Sequence, residues 1–296
     1  MNLGIIANMN RPDAAEVIRK IAYWAERTKV KLTLSDQIKG LYDGEYSYVA
    51  GDKLPETCDV IVSLGGDGTM LATARAVGRS GVPILGINLG SLGFLTQLTP
   101  SVLDETLTAI LENRYKIERR MVAEVELEDG SELDNKCALN DVVVDRGSVT
   151  RIINLDLYAN DHFIGSYVAD GLIVSTPTGS TAYSLAVGGP ILNPLMKAFI
   201  VSPISAFALT TRPIVFSGED ELRIMVRSKH SEPILTLDGQ VAQSLHQESS
   251  IIIRRADYNI NFIVFRKNSF YDVLRDKLHW GRLPEGNPSG SRGYSR

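Results

Sequence analysis

The spacing of hydrophobic residues along this chain changes once, near residue 120. Before that point, short apolar runs alternate with stretches whose apolar residues recur at helical spacing; after it, a period of two dominates. Residues 3–7 read as a buried strand. Pro12 then opens a helical pattern with Ala15, Ile18, Ala22 and Ala25 on one face and Asp13 and Glu16 in its first turn. Residues 31–35 read as a second strand, and the polar stretch with Gly and Tyr that follows reads as loop. Residues 59–64 form another apolar run that ends in Gly65-Gly66-Asp67-Gly68-Thr69, and a helical pattern continues from Met70 to Arg79. A strand at 83–88 follows, and Pro100 precedes a helix at 102–112. Strands alternating with helices predict a parallel sheet whose ligands sit at the strands' carboxyl ends. No Gly-x-Gly-x-x-Gly follows the first strand, which argues against a conventional dehydrogenase domain.

In the second half, residues 123–128 alternate and end at Asp129-Gly130, a hairpin turn signal. Short strands are predicted at 142–144, 153–158 and 163–167, with Asn160-Asp161 as a turn, and at 222–226, 233–237, 250–254 and 260–265. A helix at 269–278 closes the order. The expected architecture is a Rossmann-like α/β domain at 1–120 followed by a mostly β domain at 121–265. Residues 283–296, rich in Gly, Ser, Pro and Arg, read as a disordered tail.

Composition narrows the options without naming one. The chain has 296 residues, 44% hydrophobic and 22% charged, long enough for two cores. A net charge of −4 gives no bulk electrostatic case for nucleic acid or an anionic membrane. No apolar run reaches the roughly 18 residues a membrane span needs, and the first residues lack the pattern of a signal peptide. Cys58 and Cys137 offer neither a disulfide framework nor metal spacing, and His162, His230, His246 and His279 are scattered. A reducing cytoplasm is the expected home.

Three stretches carry candidate chemistry. Gly65-Gly66-Asp67-Gly68-Thr69 joins a strand to a helix N-terminus, where glycines let backbone N–H groups approach a phosphate and the dipole favours negative charge. Gly and Asp are also the residues of an ordinary tight turn. Yet Asp67 would repel a polyphosphate unless a cation or a substrate hydroxyl lay between, and that conflict points to phosphoryl transfer. Asn140-Asp141 opens an apolar strand: a capped turn, or an amide beside a carboxylate suited to sugar hydroxyls. Third, Asp170-Gly171-Leu172-Ile173-Val174-Ser175-Thr176-Pro177-Thr178-Gly179-Ser180-Thr181-Ala182-Tyr183-Ser184 runs from a strand into a cluster of small hydroxyl residues at a helix start. Part of that cluster is capping chemistry, but its density suits a polar, phosphate-bearing ligand, with Tyr183 as a flat surface.

These stretches, with Asp238-Gly239-Gln240, resemble the bacterial NAD kinases in order and composition over nearly the whole chain to about Trp280. The glycine loop alone is shared with diacylglycerol, sphingosine and 6-phosphofructo-kinases; the second-domain stretch is more specific. The resemblance implies phosphorylation of the adenosine 2′-hydroxyl of NAD to give NADP, with ATP or polyphosphate as donor and Mg²⁺ present. It implies that Asp67 takes the hydroxyl proton and that Gly65, Gly66, Gly68 and Thr69 touch the ligands. Asn140, Asp141, Arg151, Asp170, Thr181, Ala182, Tyr183, Ser184, Leu185, Ala186 and Gln240 fall on dinucleotide-contacting positions. An active site in the cleft between the two domains, a segment at 266–282 returning to the first domain, and a homodimer or homotetramer are also implied. Position 141 departs from the usual Asn-Glu pair by one methylene, Ala206-Phe207 replaces a frequent Pro-His, and Val168 stands where several relatives carry Arg.

Two rival readings keep the same loop. A lipid kinase would want an apolar substrate channel where this chain places Thr, Ser, Asp and Asn; a non-enzymatic dinucleotide sensor would not need Asp67.

Overall fold

The computed structural model describes residues 1–39, 46–96, 98–148, 151–228, 232–265 and 269–279. The expected tail at 283–296 and His230 lie outside the described residues.

Five parallel strands, β1 (Asn2–Ala7), β2 (Lys31–Ser35), β3 (Ser47–Val49), β4 (Val60–Gly65) and β5 (Ile84–Asn88), lie in the order β3-β2-β1-β4-β5. The crossover helices cover both faces of this sheet. On one face α1 (Ala14–Thr28) packs with α3 (Leu103–Leu111); on the other α2 (Asp67–Val77) buries Met70, Leu71, Ala74 and Val77. The buried face of α1 is Ala14, Val17, Ile18, Ile21, Ala22, Trp24 and Ala25. Ala15, expected on that face, is only half-buried, because the larger Val17 and Ile21 pull the apolar stripe off it. The expected loop after β2 in fact holds β3 and two 3₁₀ turns, 36–38 and 51–56, strand and turns each too short to show a period. Strand order reverses between β1 and β4, and open α/β sheets bind ligands at such a point, beyond the strands' carboxyl ends.

Residues 116–264 build two sheets. The strands are β6 (Lys116–Leu127), β7 (Cys137–Ala138), β8 (Asp141–Asp145), β9 (Ile153–Ala159), β10 (His162–Ala169), β11 (Gly171–Ser175), β12 (Ala198–Ile204), β13 (Ile214–Ser217), β14 (Leu222–Arg227), β15 (Ile234–Leu237), β16 (Val241–Ser244) and β17 (Glu248–Val264). One sheet runs β13-β12-β11-β8-β15-β16; the other continues the parallel sheet through β17 into β14, β9 and β10, with β6 on β17. Alternation places Ile153, Leu155 and Leu157 of β9 and Leu222, Ile224 and Val226 of β14 in the core between the sheets.

Two expected strands, 250–254 and 260–265, are one 17-residue strand. Its pairing with β6 shifts register between Arg255 and Asn259, and this bulge interrupts the sequence period. The first part of β17 pairs with β14 and the last part with β5, so this strand joins both lobes. Asn160 and Asp161 form the expected β9–β10 turn in left-handed conformation, with φ of 48° and 65°. Asp129-Gly130, by contrast, is the start of a longer connection from β6 to β7, since Glu124 pairs with Cys137. The final helix α5 (Phe270–Leu278) has Ser269 as cap, in a capping box with Asp272.

Candidate active site

The carboxyl ends of β1 and β4 open onto a cavity of about 770 Å³. Its lining includes Asn8, Asn10 and Arg11 after β1, Gly66, Asp67, Gly68 and Thr69 at the start of α2, Ser91 and Gly93 after β5, Gln240, and Lys277 of α5. Asp67 is the first residue of α2, with Gly66 as its cap. The first-turn amides of Asp67 and Gly68 have no partner within the helix. Thr69 folds back over Gly65, while a side chain at Gly66 would meet nothing within 4 Å.

Sequence reasoning missed what holds Asp67. Asn88, buried at the end of β5, donates its amide to the carbonyls of Ser91 (2.7 Å) and Thr96 (3.1 Å) and accepts from Gly90 N (2.8 Å). This folds the following loop so that its amides face the acid. Phe94 N donates to Oδ2 at 2.8 Å; Leu95 N, Thr96 N and Thr96 Oγ1 donate to Oδ1 at 3.0, 3.2 and 3.2 Å. A carboxylate offers about four lone-pair directions. Oδ1 is therefore saturated, whereas Oδ2 keeps acceptor capacity. The available signal was a Gly-Ser-Leu-Gly loop after the strand beside β4, at the sheet end where ligands bind.

Across the cavity, Gln240 joins the second lobe to the glycine loop: its Nε2 donates to Gly68 O at 2.8 Å, and Arg75 Nη2 donates to its Oε1 at 2.6 Å. Two residues earlier, Asp238 accepts from the amides of Leu139 (3.0 Å), Asn140 (2.7 Å) and Asp141 (3.2 Å). Asp141 is only 4% exposed and is hydrogen-bonded by the Tyr183 amide. Burial, and then the Asp238 charge, pushes its carboxyl up to about 7. Burial also raises Asp238, but its three amide bonds and the Arg75 charge favour the ionised form. Asp141 is thus the partner that holds a proton first. A continuous chain of contacts connects the loop acid to Gln240, Asp238, Asn140-Asp141 and Tyr183.

The hydroxyl cluster is mostly inward. Thr176 Oγ1 donates to Leu139 O (2.5 Å), Ser180 Oγ to Pro177 O (2.7 Å), and Ser184 Oγ pairs with Ser202 Oγ (3.1 Å). Ser175, Thr176, Ser180 and Ser184 are fully buried, so most of these hydroxyls fasten the 175–186 segment to its neighbours instead of facing a ligand. A Cβ at Gly179 would stand 2.1 Å from Asn140 O, which lets this segment lie against the Asn140 backbone. The expected helix is a 3₁₀ turn at 179–181 and one α turn, α4 (Tyr183–Ala186); Tyr183 is 45% exposed, Ala186 is exposed, and Thr181, Ala182 and Leu185 are half-buried.

Asp170 and Arg151 are not brought to the Asp67 cavity. Ser175 pairs with Asp141 and Gly171 with Asp145, so Asp170 lies beyond the far end of the β8–β11 ladder, in an ion pair with Arg146 at 2.8 Å. Arg151 is exposed and precedes β9 near that same end. The C-terminal helix returns to the first lobe: Lys277 Nζ sits 4.6 Å from the Phe94 ring centroid.

Comparison with known proteins agrees with this geometry. Family models described as ATP-NAD kinase N-terminal and C-terminal domain match residues 3–115 and 139–265. An NAD kinase of Desulforamulus reducens is 39% identical over 93% of this chain and 96% of its own, and one of Heliobacterium modesticaldum is 40% identical over 95% and 99%. The fold matches a yeast NADH kinase complexed with NADH (TM-score 0.87, 25% identity, 96% of this chain and 89% of that one). It also matches an NAD kinase from Archaeoglobus fulgidus in complex with ATP (TM-score 0.75, 25% identity, 94% and 98%). The expected α/β lobe, β-rich lobe and cleft between them are all present, and the chain belongs to the NAD kinase family of phosphotransferases.

Proposed function

We propose that this NAD kinase transfers a phosphoryl group from ATP or polyphosphate to the 2′-hydroxyl of the adenosine ribose of NAD, with Asp67 as general base. The observation that carries the assignment of Asp67 is its hydrogen-bond pattern. Four donors fix the carboxylate, yet Oδ2 accepts only one of them, and Asp67 lines the cavity, so Oδ2 keeps a lone pair for a ribose hydroxyl bound there. A carboxylate is a weak base towards a sugar hydroxyl, but a loose transition state releases the proton late. Catalysis is then mostly positioning and electrostatics. The Asp67 and Gly68 amides at the N-terminus of α2 suit the transferred phosphoryl oxygens, and Arg11 and Lys277 suit the donor's remaining phosphates.

Asp67 is the one acid in the described lining, and no group of three His, Cys, Asp or Glu side chains able to hold a metal occurs among the described residues. That donor set fits a Mg²⁺ carried in on the phosphates, with Asn8, Asn10 and Gln37 nearby as neutral oxygen ligands. Bound there, the ion would supply neutralisation of phosphate charge. Asn140 and Tyr183, joined to the cavity through the Asp238 network, are the second-lobe residues that this reading assigns to the dinucleotide. Asp141 acts there through the Tyr183 amide.

A division into lobes at 1–120 and 121–265 is part of this reading, in keeping with family matches over 3–115 and 139–265. A homo-oligomer, dimer or tetramer, is supported by exposed Ile214 and Val215 on the edge strand β13 and exposed Phe207 and Leu209 in the connection before it. Two free cysteines suit a reducing cytoplasm, and no helix of the described residues is long and apolar enough to cross a membrane. The test is incubation with NAD and Mg²⁺ and either ATP or polyphosphate, followed by an NADP-specific dehydrogenase readout. NADP formation supports the reading, and its absence with both donors overturns it.

A further inference from the structure

Helix α2 and the turn that follows it touch the second lobe at three points. Gly68 O receives Gln240 Nε2, Arg75 Nη2 donates to Gln240 Oε1, and Arg79 grips Glu124, Asp257 and the Tyr258 ring in and beside the β17 bulge. Residues 68 and 75 are 7 positions apart, which at 100° per residue places them within roughly 20° on one helix face, while Arg79 lies in the 3₁₀ turn at 78–80 that follows the helix. The start of the helix, next to Asp67, is thereby tied to the lobe that would hold the dinucleotide.

Arg75 has a chemical role that its neighbours lack. A guanidinium only donates, so it compels Gln240 to present its carbonyl to Arg75 and its amino group to the cavity and Gly68 O. Gly68 O only accepts and requires the same orientation from the other end, so Arg75 and the loop carbonyl together clamp the amide. The same guanidinium faces the Asp238 carboxylate, which orders the amides of residues 139–141. We infer that Arg75 is a positioning residue for NAD: acting through Gln240 and the Asp238 turn, it fixes the spacing and polarity of the dinucleotide side of the cleft relative to the glycine loop. This rests on the Asp67 cavity being the NAD kinase site.

The test is steady-state kinetics on the full chain with Arg75→Met, Arg75→Lys, Gln240→Ala, the Arg75→Met/Gln240→Ala double variant, and Arg79→Met as a docking control. Arg75→Met should raise the KM for NAD by about tenfold while the KM for ATP stays within about twofold. Arg75→Lys should recover part of that loss, since a lysine still donates only. The double variant should lose less than the two single losses combined, because both act in part through Gln240. Arg79→Met should lower thermal stability without moving the KM for NAD. An unchanged KM for NAD in folded Arg75→Met, an equal KM effect from Arg79→Met, or additive losses in the double variant would each overturn the inference. If the unsubstituted chain makes no NADP at all, it is the underlying functional reading that has failed.

Discussion

The tightest contact around the proposed base makes Gly93 a sharp probe. A Cβ built on Gly93 would lie 2.0 Å from Asp67 Oδ1, 2.8 Å from its Cγ and 2.6 Å from Thr96 Oγ1. Gly93 is not among the glycines with positive φ, so an alanine there has no backbone penalty and acts by contact alone. Since Cβ atoms essentially never approach closer than 3.0 Å, Gly93→Ala must shift the carboxylate by about 1 Å. That breaks or stretches the bonds from Leu95 and Thr96 to Oδ1. A misplacement of about 1 Å at a reacting group can cost about 10²-fold, which sets the expected loss of kcat. Stability should fall by about 1–3 kcal/mol, the scale of a few net hydrogen bonds beside a solvent-accessible cavity. NADP formation and thermal unfolding measure the two effects. In an Asp67→Ala background the struck carboxylate is gone, so adding Gly93→Ala should cost clearly less stability. Wild-type kcat in Gly93→Ala, or an equal stability cost in both backgrounds, would refute the reasoning.

Two further outcomes follow from the same cleft. Asp141 loses its proton near 7 in the folded protein and near 3.8 when unfolded, so the folded state binds the extra proton in between and stability falls as pH rises through that window. Asp141→Asn should therefore remove a pH-dependent penalty of a few kcal/mol, and its melting temperature relative to the unsubstituted chain should improve from pH 5 to pH 8. A flat difference across that range counts against a protonated Asp141. Replacing Arg11 or Lys277 by alanine should raise the KM for ATP by about tenfold, with the effect shrinking in high salt, and leave the KM for NAD within about twofold. The reverse pattern would move those cations to the dinucleotide side.

What could be read in advance was whatever has a local period or a local turn. The alternation of β and α elements and the turn at Asn160-Asp161 both depend on residues within a few positions of each other. The 17-residue β17 was split because its bulge at 255–259 breaks the alternation that identifies a strand. In the site, Asp67 and its helix start were visible because glycine, acid and strand end are contiguous. The amide cradle from Phe94 to Thr96 was not, since backbone donors carry no side-chain signature. The hydroxyls of 175–184 misled for the converse reason: their type suggests a ligand, but burial assigns most of them to the chain itself. Arg75 was passed over because its partner is 165 residues away in sequence.

The central claim is that a loop-held carboxylate accepts the 2′-hydroxyl proton, and Asp67→Asn tests it most directly. Asparagine keeps the size of the side chain and removes the charge that accepts the proton. NADP formation should fall by at least about 10²-fold, while NAD affinity, measured separately by titration, stays within a few-fold of the unsubstituted chain. Near-normal NADP formation by a folded Asp67→Asn protein would contradict the account.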